Sequence, residues 1–304
     1  MSGFAHLKEL FEQRKITRRQ FIAQASALGF AAAISPALLP GKAMAAAPKK
    51  GGHFVLGCSG GSTTDSMDPG TLTSVFNQHL NFQIRNCLVE IDHNFDPIPE
   101  LAESWESTPD AKVWTFKLRK GVEFHNGKTM TADDVIFSIN HHLGEDSKSG
   151  AKGYLKSLKG MRKDGPNTVI FELEGGNADF PFTMSDYHLT IFPEGTKGPE
   201  FEKGIGTGAY ILKDWEPGVR SLATRNPNYW KAGRAHFDSF ETLAITDGSA
   251  RTNALKTGKI HNMDRVDLKT VHLMKKMPGI EVLATTGTGH YSIPMLVDRS
   301  PYSD

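Results

Sequence analysis

Cysteine is nearly absent. Cys58 and Cys87 are the only two in the chain, too few for the disulfide framework that staples small secreted folds. Charge of one sign is missing as well: 35 basic residues face 34 acidic ones. Six of the basic and two of the acidic residues precede Ala46, which leaves 29 against 32 in the remainder. That balance gives no electrostatic footprint for nucleic acid or an anionic membrane. Long apolar runs are also lacking. The best candidate, FIAQASALGFAAAISPALL from Phe21, is interrupted by Gln24, Ser26 and Pro36, whereas a membrane-spanning helix needs about 20 strongly apolar residues.

That weakly apolar segment follows a polar, basic start containing Lys8, Arg14, Lys15, Arg18 and Arg19, the layout of an export signal. Thr17-Arg18-Arg19-Gln20-Phe21-Ile22 looks like a twin-arginine signal. Ala43-Met44-Ala45 supplies the small-x-small cleavage pattern, with Ala45-Ala46-Ala47 as a second choice. The expected signal is therefore 1–45, read by the twin-arginine export machinery and leading to a periplasmic chain that starts near Ala46. One disulfide could form in that compartment. Export after folding instead favours two free, buried thiols.

The stretch VLGCSGG, Val55 to Gly61, admits three readings. As a lipobox it would anchor the chain through Cys58, but the polar break Lys49-Lys50-Gly51-Gly52-His53 and the earlier cleavage site separate it from the signal's apolar segment. As G-x-S-x-G it would present Ser59 as a hydrolase nucleophile, which requires a helix directly after the serine. Asp68-Pro69-Gly70 breaks the chain before one can start. The third reading is a short strand running into a hydroxyl- and glycine-rich loop, which suits a ligand crevice at a strand's carboxyl end.

Other reactive groupings are equally sparse. His141 and His142 are adjacent, so on a helix they point apart and form no two-ligand metal face; solvated or half-buried histidines are expected. Gly204-Ile205-Gly206-Thr207-Gly208 lacks phosphate-loop spacing and precedes a strand-like Tyr210-Ile211-Leu212. Asp133-Asp134 fit the charge preference of a helix N-terminus. No catalytic set, metal site or cofactor is expected.

The periodicity alternates between strands and helices. Residues 53–56, 114–118, 168–173 and 240–246 read as strands. A helix opens at Thr131 with Asp134 as a capping-box variant and runs to Leu143. Two more cover 247–255, stopped by Gly258, and 267–277, stopped by Pro278-Gly279. These lengths argue for an α/β fold.

Three blocks carry a family resemblance. The first runs Cys87-Leu-Val-Glu90, Asp92, Pro97, then Pro99-Glu-Leu-Ala-Glu-Ser-Trp105. The second is Trp114-Thr-Phe-Lys-Leu-Arg-Lys-Gly-Val-Glu-Phe-His125-Asn-Gly127 with Thr131-Ala-Asp-Asp-Val135 and Phe137-Ser138. The third is Gly206-Thr-Gly-Ala-Tyr210, Trp215-Glu-Pro-Gly218 and Asn226-Pro-Asn-Tyr-Trp230. In this order they resemble the solute-binding proteins of ABC importers for peptides, nickel chelates and related solutes.

The resemblance implies a type II periplasmic-binding-protein fold, two α/β lobes joined by a hinge. By analogy 48–91 and 201–285 would form the first lobe's core, 92–200 an accessory domain, and 286–304 the hinge crossing and the start of a second lobe. Family members are considerably longer, so most of that second lobe is expected to be absent from this chain. The implied function is a monomeric receptor that binds a small peptide-like solute and delivers it to ABC permease subunits, without chemistry of its own. A nickel chelate, an opine-like compound or a sugar is the alternative solute, and a Ser59 hydrolase the alternative class. Positions resembling cleft-lining ones are Ser62, Thr63, Thr64 and Asp65; Thr71, Thr73 and Ser74; Asp186, Tyr187 and His188; and Gly289, His290 and Tyr291. Tyr187 could stack on a ligand, Asp186 could receive a cation, and His290 could sense closure.

Overall fold

The computed structural model describes residues 48–285, together with Glu9, Leu10, Gln20 and Ser300. The rest of the export signal, including Arg18, Arg19 and the cleavage positions, and the hinge positions Gly289, His290 and Tyr291 lie outside the described residues. Two sheets dominate. In the first, β1 (His53–Cys58) pairs in parallel with β10 (Ser239–Ala244) and with β11 (Asn262–Met263). Antiparallel β9 (Arg220–Arg225) and β8 (Tyr210–Glu216) extend it, giving the order β11-β1-β10-β9-β8. A hairpin of β2 (Val89–Ile91) and β3 (Pro97–Pro99) leads to the second sheet. There β4 (Ala102–Ser107), β5 (Val113–Leu118), β7 (Thr168–Leu173) and β6 (Leu158–Lys163) are all antiparallel.

Alternation fixes the second sheet's inner face. Trp114, Phe116 and Leu118 of β5 are buried, as are Val169, Phe171 and Leu173 of β7. Phe171 sits 5.3 Å, centroid to centroid, from both Phe116 and Phe180, edge-on in each case. Each such ring contributes about 1.5–3 kcal/mol through burial.

Among residues 48–285 five helices pack around the sheets: α1 (Val75–Ile84), α2 (Ala132–Asn140), α3 (Phe180–Thr183), α4 (Gly248–Lys256) and α5 (Val271–Met274). Thr131 and Asp134 start α2 as the sequence suggests: Asp134 Oδ2 accepts from the Thr131 amide at 2.9 Å. The helix ends at Asn140 rather than Leu143; the amides of His142 and Leu143 bond to the carbonyls three residues back, of Ile139 and Asn140, as a tightened last turn. Asp247 caps α4, accepting from the Ala250 amide at 2.7 Å. The helix expected over 267–277 is regular only at Val271–Met274; Leu268 and Leu273 remain exposed, so its apolar side has little to pack on among the described residues. No helix among the described residues is long and apolar enough to cross a membrane. Both cysteines are buried free thiols.

Candidate functional site

The parallel strands β11, β1 and β10 end on one side of their sheet, and the loop from Ser59 leaves from that edge. Ser59 is held at once: its amide and hydroxyl both donate to Asp264, at 2.7 and 2.5 Å. A carboxylate therefore occupies the place where a hydrolase serine would meet an imidazole, and the segment after Ser59 is a loop, with α1 starting only at Val75.

The loop is anchored at three points. Gly218, in the turn between β8 and β9, lies so close to Ser62 that a Cβ there would sit 2.4 Å from the Ser62 carbonyl carbon. Glu202 reaches in with both oxygens, accepting from the Ser66 hydroxyl at 2.9 Å, the Met67 amide at 3.2 Å and Trp215 Nε1 at 2.9 Å. Asp68 Oδ1 accepts from the Gly70 amide at 2.8 Å and pairs with His141 Nε2 at 2.6 Å. Burial raises the Asp68 pKa, but the His141 hydrogen bond and the Gly70 amide outweigh it and hold the carboxyl below its ordinary value.

Between these anchors the hydroxyls face outward. Ser62, Thr63, Thr64, Thr71 and Thr73 are exposed. Asp65 organises them: its Oδ2 accepts from the Ser62 amide and from the Ser74 hydroxyl, both at 2.9 Å. Ser74 in turn caps α1, accepting from the Asn77 amide at 3.1 Å. Asp65 and Ser74 thus shape the loop, while the four threonines and Ser62 make up its exposed surface.

Helix α1 ties this loop to the second predicted group. Asn77, Asn81 and Arg85 recur at four-residue spacing and are all buried, a polar stripe on one helix face. Asn77 Nδ2 donates to the Ser66 carbonyl at 2.9 Å, and Asn81 Nδ2 to the Tyr187 carbonyl at 2.9 Å. Arg85 Nη1 bridges the Met67 carbonyl at 2.8 Å and Asn81 Oδ1 at 2.9 Å. Burial without a carboxylate in contact pushes the Arg85 pKa down to about 10, against the attraction of Asp68 and Glu202. The sequence reading missed this strut.

Asp186, Tyr187 and His188 do come together, though not as three free ligands. Asp186 Oδ1 takes the His188 amide at 2.9 Å and His188 Nδ1 at 2.7 Å, so one oxygen of this carboxylate is engaged with His188. His188 is buried, and the half-buried Tyr187 ring lies on it at 4.0 Å between centroids. Tyr187 is the member left with an open face.

His141 and His142 link the two groups. While His141 holds Asp68, His142 Nδ1 lies 2.6 Å from the Ser149 hydroxyl. Next to Ser149, Gly150 faces His188 so closely that a Cβ would sit 2.8 Å from Nε2. His142 is completely buried, which corrects the expectation of a solvated or half-buried side chain. Burial, then the neighbouring His141 and His188, lowers its pKa to about 4, so it is neutral in ordinary media. No group of three or more His, Cys, Asp or Glu among the described residues could hold a metal ion.

The three motif blocks converge behind this surface. Gly206 and Gly208 lie flat against the end of α1, where a Cβ would stand 2.1 Å from the Ile84 carbonyl oxygen or 2.4 Å from its carbon. The glycines serve close backbone approach, and the Gly208 amide donates to the Ile84 carbonyl at 3.0 Å. His125 adds a bond from its amide to the Gly206 carbonyl at 2.8 Å. Two concavities among the described residues lie elsewhere: one between α4 and residues 267–277, the other along residues 255–285. Neither is lined by a predicted site residue.

Comparison with known proteins bears on what such a surface meets. Residues 96–304 match the bacterial extracellular solute-binding proteins, family 5 Middle. A di/tripeptide-binding protein of Pseudomonas aeruginosa is 26% identical, over 89% of this chain and 55% of its own length. Among solved structures, the periplasmic binding protein DppA of Helicobacter pylori, in complex with the peptide STSA, superposes with a TM-score of 0.68 at 26% identity, covering 76% of this chain and 50% of that one. A nickel ABC transporter structure from Bacillus halodurans gives 0.69 at 27% identity, covering 84% and 51%. The chain spans about half the length of the curated relatives it matches.

Proposed function

Since the chain belongs to the family 5 bacterial extracellular solute-binding proteins, we propose that it is a periplasmic receptor which captures a small peptide-like solute and delivers it to the permease of an ABC importer. The observation that carries this reading is the pairing of an exposed hydroxyl loop, Ser62–Ser74, with the open face of Tyr187, both braced by one buried polar stripe on α1. Hydroxyls suit the amides and carboxylate of a short peptide, and a fixed aromatic face suits its side chains. The bonding of Ser59 to Asp264 supports binding over hydrolysis.

The sheet β11-β1-β10-β9-β8 is assigned to the core of the first lobe and the sheet β4-β5-β7-β6 to the accessory domain. Residues from 286 onward are assigned to the hinge crossing. Export runs by the twin-arginine route, with cleavage near Ala45. Mass spectrometry of the molecule that copurifies with the protein from its native periplasm tests the reading. A di- to oligopeptide supports it; a metal chelate, opine-like compound or sugar moves the solute class; a covalent acyl adduct on Ser59 overturns it in favour of an enzyme.

A further inference from the structure

The concavity along residues 255–285 belongs to neither part of the candidate surface, and the fold leaves two of its charges unused. Its volume is about 590 Å³, within the range that encloses a small solute. Leu255, Val271, Met274 and Ile280 give it an apolar wall. Four residues with titratable side chains, His261, Asp264, Arg265 and Glu281, also line it.

Two of these four are engaged within the fold. His261 Nδ1 accepts from the Val55 amide at 2.9 Å. Asp264 takes the Ser59 amide on one oxygen and the Ser59 hydroxyl on the other, and Nε of the buried Arg251 lies 3.6 Å from its Oδ1. The other two are free: among the described residues neither Arg265 nor Glu281 makes a hydrogen bond or an ion pair. Opposite charges that line one concavity without pairing are complementary to a molecule that carries both signs.

Arg265 is also held in an unfavourable backbone conformation. It stands just past β11, at the carboxyl end of a strand parallel to β1, where crevices for ligands form in α/β sheets. Its φ is 47°, in the left-handed region that disfavours a residue with a side chain. Phe95 and Ala111 share that conformation because they close tight turns, their amides donating to the carbonyls of Asp92 and Thr108 at 3.0 and 2.8 Å. The Arg265 amide has no such partner among the described residues. Strain without a turn to explain it is a mark of residues that clamp a ligand.

We propose that this concavity is a binding site for a small zwitterion with an apolar side chain, the class to which free dipeptides belong. The guanidinium of Arg265 takes the carboxylate, for which its planar fork is suited; Glu281 takes the ammonium, and the wall of Leu255, Val271, Met274 and Ile280 covers the side chain. The site is separate from the hydroxyl loop and Tyr187, and it does not rest on assigning either of those to the solute.

The probe is alanyl-leucine, with N-acetyl-alanyl-leucine and alanyl-leucinamide as its one-charge analogues, titrated into the solute-free full chain. NMR reads the Arg265 Nε–Hε group and the Glu281 side-chain carboxyl, each assigned by its loss in the corresponding glutamine variant. Removing either charge from the probe should weaken binding about tenfold or more, the scale of one charge-assisted hydrogen bond. Read at Glu281, Arg265→Gln should bind acid and amide alike, and Arg265→Lys should keep part of the preference; read at Arg265, Glu281→Gln should no longer separate amine from acetamide. Both side chains are exposed, so the fold should tolerate these changes. Arg265→Gly, which suits the left-handed backbone, should melt no lower than wild type while losing the preference for the acid. Tyr187→Ala should leave the titration at Arg265 unchanged. Three results overturn the proposal: no saturable shift at Arg265 in the millimolar range, a preference for the acid that survives in Arg265→Gln, or a midpoint at Arg265 that moves in Tyr187→Ala. Failure of the solute reading would show instead as unchanged affinity of a Tyr187 variant for the copurified molecule, with the titration at Arg265 intact.

Discussion

The carbonyl of Tyr187 accepts a hydrogen bond of 2.9 Å from Nδ2 of Asn81, a residue 106 positions earlier in the chain. Asn81 Oδ1 meanwhile takes Arg85 Nη1 at 2.9 Å. A single buried amide thus sets the height of the aromatic face and steadies the buried guanidinium that holds the Met67 end of the hydroxyl loop. Replacing it with leucine preserves volume but leaves a buried cation and a carbonyl short of partners. Asn81→Leu should cost roughly 2–4 kcal/mol, read as a lowered midpoint in urea unfolding; a loss below about 0.5 kcal/mol, the level of an ordinary surface change, would contradict the role given to α1.

Gly208 is required by contact rather than by conformation, since its Cβ would meet the Ile84 carbonyl carbon at 2.4 Å while Gly175 has open space around it. Gly208→Ala should therefore destabilise by about 3 kcal/mol or more through forced backbone shifts. Gly175→Ala should stay within about 1 kcal/mol of wild type. Thermal melts of the two side by side are the check, and equal melting points would count against the packing of the third motif block on α1.

Two buried groups give opposing pH dependences. Glu100, raised from 4.5 to about 7, contributes stability that is full below pH 4.5 and lost as pH rises through 7. His142, lowered from 6.5 to about 4, favours the neutral ring, so its contribution is present above pH 6.5 and lost as pH falls towards 4. Each amounts to at most roughly 3 kcal/mol, and over the shared interval they largely cancel. Wild-type stability should then be nearly flat in these two groups between pH 4.5 and 6.5. His142→Gln should become less stable as pH rises across that interval, and Glu100→Gln less stable as pH falls. Unfolding free energies at several pH values would show it; slopes of the same sign in both variants would not fit.

The proposed twin-arginine signal predicts that export depends on Arg18 and Arg19. Changing Arg18 and Arg19 to lysine together should leave uncleaved precursor in the cytoplasm, visible by fractionation and immunoblot. Normal appearance of the processed chain in the periplasm would reject the twin-arginine route without touching the binding function.

Much of this architecture was legible where local signals agree with the fold. Thr131 with Asp134 and Asp247 with Gly258 mark the ends of α2 and α4 because caps act over three or four residues. The clean alternation in Trp114–Leu118 fixes an inner face. Helix α1 was not legible by apolar periodicity, since the stripe that faces inward carries Asn77, Asn81 and Arg85, whose partners come from residues far away in sequence. Ser74 followed by polar residues at four-residue spacing was the available signal. Of the proposed site residues, those on the Ser62–Ser74 loop and at 186–188 are described, and Gly289, His290 and Tyr291 are not. Asp65 is engaged with Ser74, and Asp186 with His188, a distinction that depends on which oxygen each donor reaches.

The central claim is that the hydroxyl loop and Tyr187 bind a solute and transform nothing. The direct measurement is calorimetric titration of the full-length chain, stripped of its copurified molecule, with that same molecule, alongside Tyr187→Ala and Ser59→Ala. The account predicts that Tyr187→Ala weakens affinity about tenfold, equivalent to about 1.4 kcal/mol, with little change in melting temperature. Ser59→Ala should bind as wild type does, and the recovered solute should be chemically unchanged in every case. Unaltered affinity in Tyr187→Ala, or a solute cleaved by wild type but left intact by Ser59→Ala, would contradict it.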